Sequence, residues 1–227
     1  KIMRRKLILT ADGSPTFQLS HQSETYHSKN GALTESLHVF IERGMNHWLK
    51  LNSWNSTLDI LEMGFGTGLN CILTITKLKG NHLEVSYDAI EAYPLSFDEV
   101  ASFSRNKSFN THFSSQKLLD LHKLSWNDYH ELELNIRVKK IKSKVQNFSF
   151  QKKYDLIYYD AFAKFLQPEL WTSEFIQSMT SSLNSNGVFI TYAAFADLRD
   201  ALKKSNMKIE RLKGPLGKRE ITRAIKC

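Results

Sequence analysis

The stretch "LDILEMGFGTGLN", Leu58 to Asn70, constrains this chain more than any other. An apolar run leads into Gly64, Gly66 and Gly68 at alternate positions, and a helical pattern follows. A strand feeding a glycine turn that opens a helix is the first half of a βαβ unit. Glycine lets the backbone take positive φ there and lets a ligand approach without meeting a Cβ. In an open α/β sheet the ligand lies beyond the carboxyl ends of the strands, near the topological switch point, so this turn is the expected binding loop.

The spacing narrows the ligand. Dinucleotide sites favour G-x-G-x-x-G with a pyrophosphate on the helix N-terminus. Here the pattern is G-x-G-x-G, and Leu69 stands where the third glycine of the dinucleotide pattern belongs. Glu62, just before the loop, would repel a pyrophosphate and attract an ammonium. S-adenosylmethionine has an ammonium and a sulfonium and no phosphate, so charge and spacing favour it. Glu91 ends the run "VSYDAIEA", 23 residues after Gly68. An acid about 20 residues past the loop is placed to accept hydrogen bonds from a ribose diol.

The rest of the chain divides into two parts. Residues 1–55 read as an extension: a hairpin in "LILTADGSPTFQLS", turning at Asp12-Gly13, and a helix with Leu33, Leu37, Phe40, Ile41, Met45 and Trp48 at helical spacing. Residues 56–227 alternate strand and helix. Strands are expected at "TLDILEM", "LEVSYDAIEA", "NIRVKKIKSKV", "YDLIYYDAF" and "GVFITYA". Helices are expected at "LNCILTITKLK", "PLSFDEVASFS", "PELWTSEFIQSMTSSLN" and "ADLRDALKKSN", with short helices between about Asn106 and Glu133. That order implies a mostly parallel sheet covered on both faces. The last two strands, "MKIERL" and "EITRAIK", are joined by "KGPLGKR", too short for a parallel crossover, so they should be antiparallel.

The 227 residues, 41% hydrophobic, suffice for one domain with a full core, alone or with a small appendage. The two cysteines form no disulfide framework, and no His or Cys cluster has metal-ligand spacing, so no metal is expected. No apolar run nears the roughly 20 residues of a membrane span, and "KIMRRKLILT" lacks the features of a signal peptide. A cytoplasmic location is expected. The net charge is +8. Seven basic residues and no acid lie between Arg137 and Lys153, and six basic residues with Glu220 as the one acid lie between Arg211 and Lys226. Two such runs favour a polyanionic partner.

Four separated stretches, in order, carry a family resemblance: "DGSPTF" with "YHSKNGALTESLHVFIERG", then "EMGFGTGLN", "YDLIYYDAFA…QPELWT" and "GPLGKRE". The glycine stretch looks like motif I of class I methyltransferases. The set resembles the methyltransferase module of the MnmC family and its stand-alone MnmD-type counterparts, from about Asp12 to Ala224. The resemblance implies a class I Rossmann-like methyltransferase fold with S-adenosyl-L-methionine as cofactor. The implied reaction is methylation of the side-chain amine of 5-aminomethyl-2-thiouridine at the tRNA wobble position, giving 5-methylaminomethyl-2-thiouridine. In MnmC an oxidoreductase module follows; the chain ends at Cys227, so that module is expected to be absent. Expected partners are the anticodon arm of tRNA and, upstream, a separate oxidoreductase or an enzyme that forms the aminomethyl group.

On this basis Glu62, Gly64, Phe65, Gly66, Thr67, Gly68, Asn70, Glu91, Asp160, Ala161 and Phe162 are the expected cofactor residues. Asp160, at the carboxyl end of "YDLIYYD", is the expected catalytic residue, either accepting from the amine or orienting the cofactor. Tyr26, Asn30, Glu35, Phe162, Lys218, Arg219 and Glu220 match the family's substrate-side motifs, with Lys218 and Arg219 suited to phosphate and Glu220 to orienting Arg219. Tyr192 is a further aromatic candidate, and His27 reads either as a base or as a packing residue. The chain departs from the family at Lys164, where proline is common, at Lys144, near a place where an acid is common, and at Phe195 and Ala196. The alternatives are a methyltransferase for another amine or small molecule, and a non-catalytic RNA-binding relative.

Overall fold

A computed structural model describes residues 4–20 and 23–227. Residues 1–3 and 21–22 of the expected extension lie outside that set.

Period-two alternation in the apolar strands gives the sheet two buried faces. In β3 (Thr57–Met63), Leu58 and Ile60 face one core while Leu61 and Met63 face the other. All six residues of β7 (Tyr154–Tyr159) are buried, as a central strand covered on both sides requires. The other strands are β4 (Glu84–Glu91), β5 (Tyr129–Glu133), β6 (Ile136–Lys142), β8 (Leu183–Thr191), β9 (Met207–Lys213) and β10 (Glu220–Lys226). They form one sheet in the order β5-β6-β4-β3-β7-β8-β10-β9. β6, β4, β3, β7 and β8 run parallel, and β10 lies antiparallel between β8 and β9. The antiparallel pairing of the last two strands is therefore as expected.

One core contains α3 (Leu69–Leu78), α4 (Phe97–Ser104), α5 (Ser115–Lys123) and the helical stretch 32–51. That stretch is α1 (Ala32–Glu35), a π-wound segment Ser36–Met45 and α2 (Asn46–Leu51). Gly44 is where it meets the sheet: a Cβ there would lie 2.9 Å from Ile190 Cγ2 and 3.3 Å from Tyr158 Cε1. The other core holds α6 (Ser173–Ser181) and α7 (Ala196–Lys204).

The expected N-terminal hairpin forms as β1 (Arg5–Leu9) and β2 (Pro15–Leu19), antiparallel and separate from the main sheet. Asp12 in its turn accepts hydrogen bonds from Thr10, Ser14 and Thr34, so it closes the turn and caps the first helical residues together. Burial raises its pKa, yet these bonds outweigh that and bring it to about 2. Arg5 ties the hairpin to the domain, donating to Tyr26 Oη at 2.7 Å and the Tyr93 carbonyl at 2.6 Å and pairing with Glu99 at 3.2 Å.

Two expected elements differ. The region between Asn106 and Glu133 contains a 3₁₀ turn (Lys107–Phe109) and α5, but its end is strand β5. Tyr129 holds it there, donating to Asp88 at 2.7 Å beneath the Arg137 guanidinium. The single helix expected over "PELWTSEFIQSMTSSLN" is split into a 3₁₀ turn (Pro168–Trp171) and α6. Thr172 causes the break: its backbone is extended, and its hydroxyl accepts from the Phe175 N–H as the N-cap of α6.

Phe103 on α4 is fully buried, stacks on Phe17 of the hairpin and meets Phe109 at a tilt, ring centroids 5.1 Å apart. Phe103→Ala is expected to cost about 3–5 kcal/mol, read as a lower midpoint in urea unfolding.

Candidate active site

The site forms where β3 ends between two parallel neighbours. The Ile90 carbonyl, at the end of β4, accepts from the Gly64 N–H at 3.0 Å and the Phe65 N–H at 3.1 Å. On the other side Asp160 N–H, just past β7, donates to the Met63 carbonyl at 3.1 Å. The glycine loop is thus held open across the switch point. Gly64 sits at φ 92°, and a Cβ on it would lie 2.7 Å from the Asp160 carbonyl oxygen. Gly66, at φ 50°, passes under Tyr26, whose Cδ1 would be 3.2 Å from an added Cβ. Gly68 takes the left-handed conformation just before α3.

A cavity of about 320 Å³ opens above this loop, within the range of small-ligand sites. Of the residues singled out from the sequence, the structure brings Tyr26, His27, Glu35, Gly64, Phe65, Gly66, Thr67, Asn70, Glu91, Lys144, Asp160, Ala161, Phe162, Tyr192 and Lys218 to its wall. Glu91 accepts from the Gly66 N–H at 2.9 Å and the Tyr93 N–H at 2.7 Å, which fixes its carboxylate at the rim of the loop. Asn70, in the first turn of α3, donates to Asp160 Oδ2 at 2.9 Å. Tyr26 meets Phe162 edge-on with ring centroids 5.1 Å apart.

Two distant parts of the chain close one end. Glu35, from the N-terminal extension, accepts from the Ser28 N–H at 2.7 Å and pairs with Lys218 of the β9–β10 turn. The Lys218 ammonium lies 3.9 Å from the Tyr192 ring centroid, and the Tyr192 hydroxyl donates to the Ala161 carbonyl at 2.7 Å. Glu24 and Glu169 also line the cavity. Among the described residues the wall therefore has five acids, Glu24, Glu35, Glu91, Asp160 and Glu169, against Lys144 and Lys218. That donor set suits a cationic ligand and opposes a pyrophosphate.

The comparisons with known proteins agree with this geometry. A family described as S-adenosyl-L-methionine-dependent methyltransferase matches residues 103–227. The chain belongs to that family. The "tRNA 5-methylaminomethyl-2-thiouridine biosynthesis bifunctional protein MnmC" of Hydrogenovibrio crunogenus is 27% identical, over 97% of this chain and 34% of its own length. The protein of that name from Leptospira interrogans is 26% identical, over 87% of this chain and 32% of its own. The chain thus spans about a third of the curated relatives it matches. Among solved structures, MNMC2 from Aquifex aeolicus superposes with a TM-score of 0.77 at 23% identity, covering 98% of this chain and 70% of that one. Spermidine synthase from Thermotoga maritima shares the fold, with a TM-score of 0.59 at 14% identity over 100% of this chain and 70% of that one. The resemblance to the MnmC methyltransferase module read from the motifs extends along the chain, and S-adenosyl-L-methionine is this methyltransferase's cofactor.

Several expected placements change. The Glu62 side chain is fully buried and off the cavity wall. It shares the β3 face of Leu58 and Ile60 by the period of two, so it points beneath α3 rather than toward a ligand ammonium. Burial pushes its carboxyl well above the usual range, the nearby Asp160 adding to the effect. Gly68 also lies off the wall; a Cβ on it would meet His122 and Phe65 at 3.0 Å. Asn30 is exposed against the Gly217 turn and outside the cavity. Glu220 does not orient Arg219: it grips Arg211 with contacts of 2.7 and 3.0 Å across the β9–β10 pair. His27 is buried between Thr16, at 3.0 Å, and Thr67, at 3.2 Å. It also lines the cavity; burial lowers its pKa to about 4, so of its two readings the neutral packing residue agrees with its surroundings.

The first basic run is also dispersed. Strand alternation buries Lys140, whose ammonium donates to the His122 carbonyl at 2.7 Å and lies 4.7 Å from the Trp126 ring centroid. Lys152 pairs with Asp59 and Asp88. Those two lysines hold the fold and offer no free charge to a polyanion. Neither Glu24 nor Glu169 is singled out by the sequence. Glu169 reaches the wall because of the 3₁₀ turn, and it accepts from Gln146 at 3.2 Å beside Lys144.

Burial raises the Asp160 pKa to about 7, Glu35 adding to the effect while the Asn70 hydrogen bond and Lys218 oppose it. The folded chain therefore holds a proton on Asp160 that the unfolded chain releases near pH 4. This contribution to stability is full below about pH 4 and is lost as pH rises through about 7. Asp160→Asn is expected to flatten the fall in stability between those limits, as measured by chemical unfolding at pH 4 and pH 8 in both proteins. Gly64 and Gly80 both take positive φ, but Gly64→Ala adds a backbone clash, so it should cost more than Gly80→Ala, where no described residue lies within 4 Å. Unfolding midpoints of the two variants check the difference, expected to exceed about 1 kcal/mol.

Proposed function

We propose that this methyltransferase N-methylates the 5-aminomethyl group of 5-aminomethyl-2-thiouridine at the wobble position of tRNA, giving 5-methylaminomethyl-2-thiouridine. The observation that carries this reading is Asp160 at the switch point, held by Asn70 and grouped with Glu35 and Tyr192 at one end of an acidic cavity. The relatives' printed names supply the acceptor. The reading treats residues 1–55 as an extension that walls the site and 56–227 as the methyltransferase domain. It implies a cytoplasmic setting with tRNA; among the described residues no helix is long and apolar enough to cross a membrane.

The chain's residues fit the cofactor. The glycine loop gives close backbone approach, Glu91 stands where a ribose diol would be met, and the acids favour its positive charge over a pyrophosphate. When bound, S-adenosyl-L-methionine supplies an electrophilic methyl on a sulfonium. An alkylamine has a pKa of roughly 10.4, so the acceptor arrives mostly as ammonium. Asp160 and Glu35 attract that ammonium. Ionised Asp160 would accept its proton and so leave the nitrogen lone pair free to face the cofactor's methyl group. An acid poised at about pKa 7 suits that exchange near neutral pH. Tyr192 and Phe162 confine the acceptor, so positioning contributes to the rate. Because the acceptor amine must already exist, an upstream reaction must install the aminomethyl group.

The test is methyl transfer from labelled S-adenosylmethionine to tRNA bearing 5-aminomethyl-2-thiouridine, with Asp160→Ala alongside. The native chain is expected to form product, and the variant to lose about 100-fold or more in kcat. Equal rates from both would remove Asp160 from the mechanism. No product with cofactor still bound would assign another amine acceptor. Loss of both would favour the non-catalytic RNA-binding reading.

A further inference from the structure

Beside the first cavity lies a second, of about 430 Å³, whose wall includes Lys164, Trp171, Tyr192, Phe195 and Arg219. It shares Tyr192 and Lys218 with the first, so the stacked Lys218–Tyr192 pair is the partition between them. Lys164 and Phe195, which read as separate departures from the family pattern, touch here: the Lys164 ammonium is 5.3 Å from the Phe195 ring centroid. Trp171 backs Phe195 with its ring edge-on, centroids 5.2 Å apart, and is itself buried with its indole N–H donating to the Phe162 carbonyl at 2.8 Å. The aromatic wall is therefore fixed from behind.

The charge of this cavity is positive. Its acid Glu220 is held by Arg211, and the neighbouring Asp197 is held by Lys164 at 2.5 Å. Arg219 is exposed, and its guanidinium has no hydrogen-bond or ion-pair partner among the described residues. A supported aromatic ring beside a free guanidinium matches what single-stranded nucleic acid presents, a base face and a phosphate. The first cavity is acidic and suits a cation. The second is basic and aromatic, with a shared wall between them.

We propose that the second cavity is the subsite for the nucleotide next to the methylated one, its base stacked on Phe195 and its phosphate on Arg219. The proposal rests on the RNA-acceptor reading above and deepens it.

The test is fluorescence anisotropy of the full chain with a labelled, unmodified single-stranded RNA of anticodon-loop length, with cofactor affinity by calorimetry on the same samples. Phe195→Leu keeps the packing volume and removes the ring; it is expected to weaken RNA binding about tenfold with cofactor affinity unchanged, while Phe195→Trp retains binding. Arg219→Gln, on the surface, is expected to lower the slope of log affinity against log salt by about 1. RNA affinity within twofold of native in Phe195→Leu, or an unchanged salt slope in Arg219→Gln, overturns the subsite. If native chain methylates tRNA and Phe195→Leu has the same KM for tRNA, the subsite falls and the reaction stands. If native chain binds RNA through Phe195 yet transfers no methyl, the reaction falls and the subsite stands. No RNA binding by the native chain overturns both.

Discussion

The Ile90 carbonyl accepts two backbone N–H groups, from Gly64 and Phe65, and the rest of the site follows from that contact. It turns the chain out of β3 toward β4 while Asp160 remains tied to Met63 on the β7 side. The loop then spans the gap between two strands without filling it. Only a residue lacking Cβ fits at Gly64, because the Asp160 carbonyl occupies that space. With the loop so placed, Gly66 reaches Glu91 and the first turn of α3 brings Asn70 to Asp160. One backbone arrangement thus sets both carboxylates on which cofactor and acceptor would depend.

The second constraint is electrostatic. A cavity with five acids and two lysines holds its carboxylates close enough that burial and mutual repulsion raise the Asp160 pKa to about 7. Lys218 moderates this, and its ion pair with Glu35 joins residues 183 apart in the chain. It also links the N-terminal extension to the last hairpin, so both ends of the chain contribute to one wall. A cation entering there meets groups able to ionise for it. Lys218 stays on the far side, stacked on Tyr192, where the character of the surface changes from acidic to basic.

The parallel strands, their helices, the antiparallel ending and the hairpin at Asp12-Gly13 were legible because each rests on local period or loop length. Strand β5 was not: five residues at a sheet edge carry little alternation signal, and Tyr129 is held there by Asp88, 41 residues away. The break at Thr172 was a capping signal inside an otherwise helical run. Gly64, Gly66, Asn70, Glu91 and Asp160 share one cavity wall because they sit at strand ends, in the turn and in the first turn of α3, positions that spacing alone makes legible. Glu62 was misread because adjacency to the loop does not give the face of the strand. The basic run at 137–153 was misread because consecutive strand residues point to opposite sides, one of them into the core at Lys140.

By itself, then, the sequence determined the class of fold and the place of the binding loop. Those depend on spacing along the chain and on residue type, which no packing alters. Tertiary structure alone decided which acids share a cavity, that Glu35 meets Lys218, that Glu220 holds Arg211, and that Lys164 touches Phe195. Each is a contact between elements distant in sequence, set by sheet order and by which side chains the two cores exclude. The same packing desolvates Asp160 and so moves its proton affinity, a property of its surroundings rather than of its position in the chain.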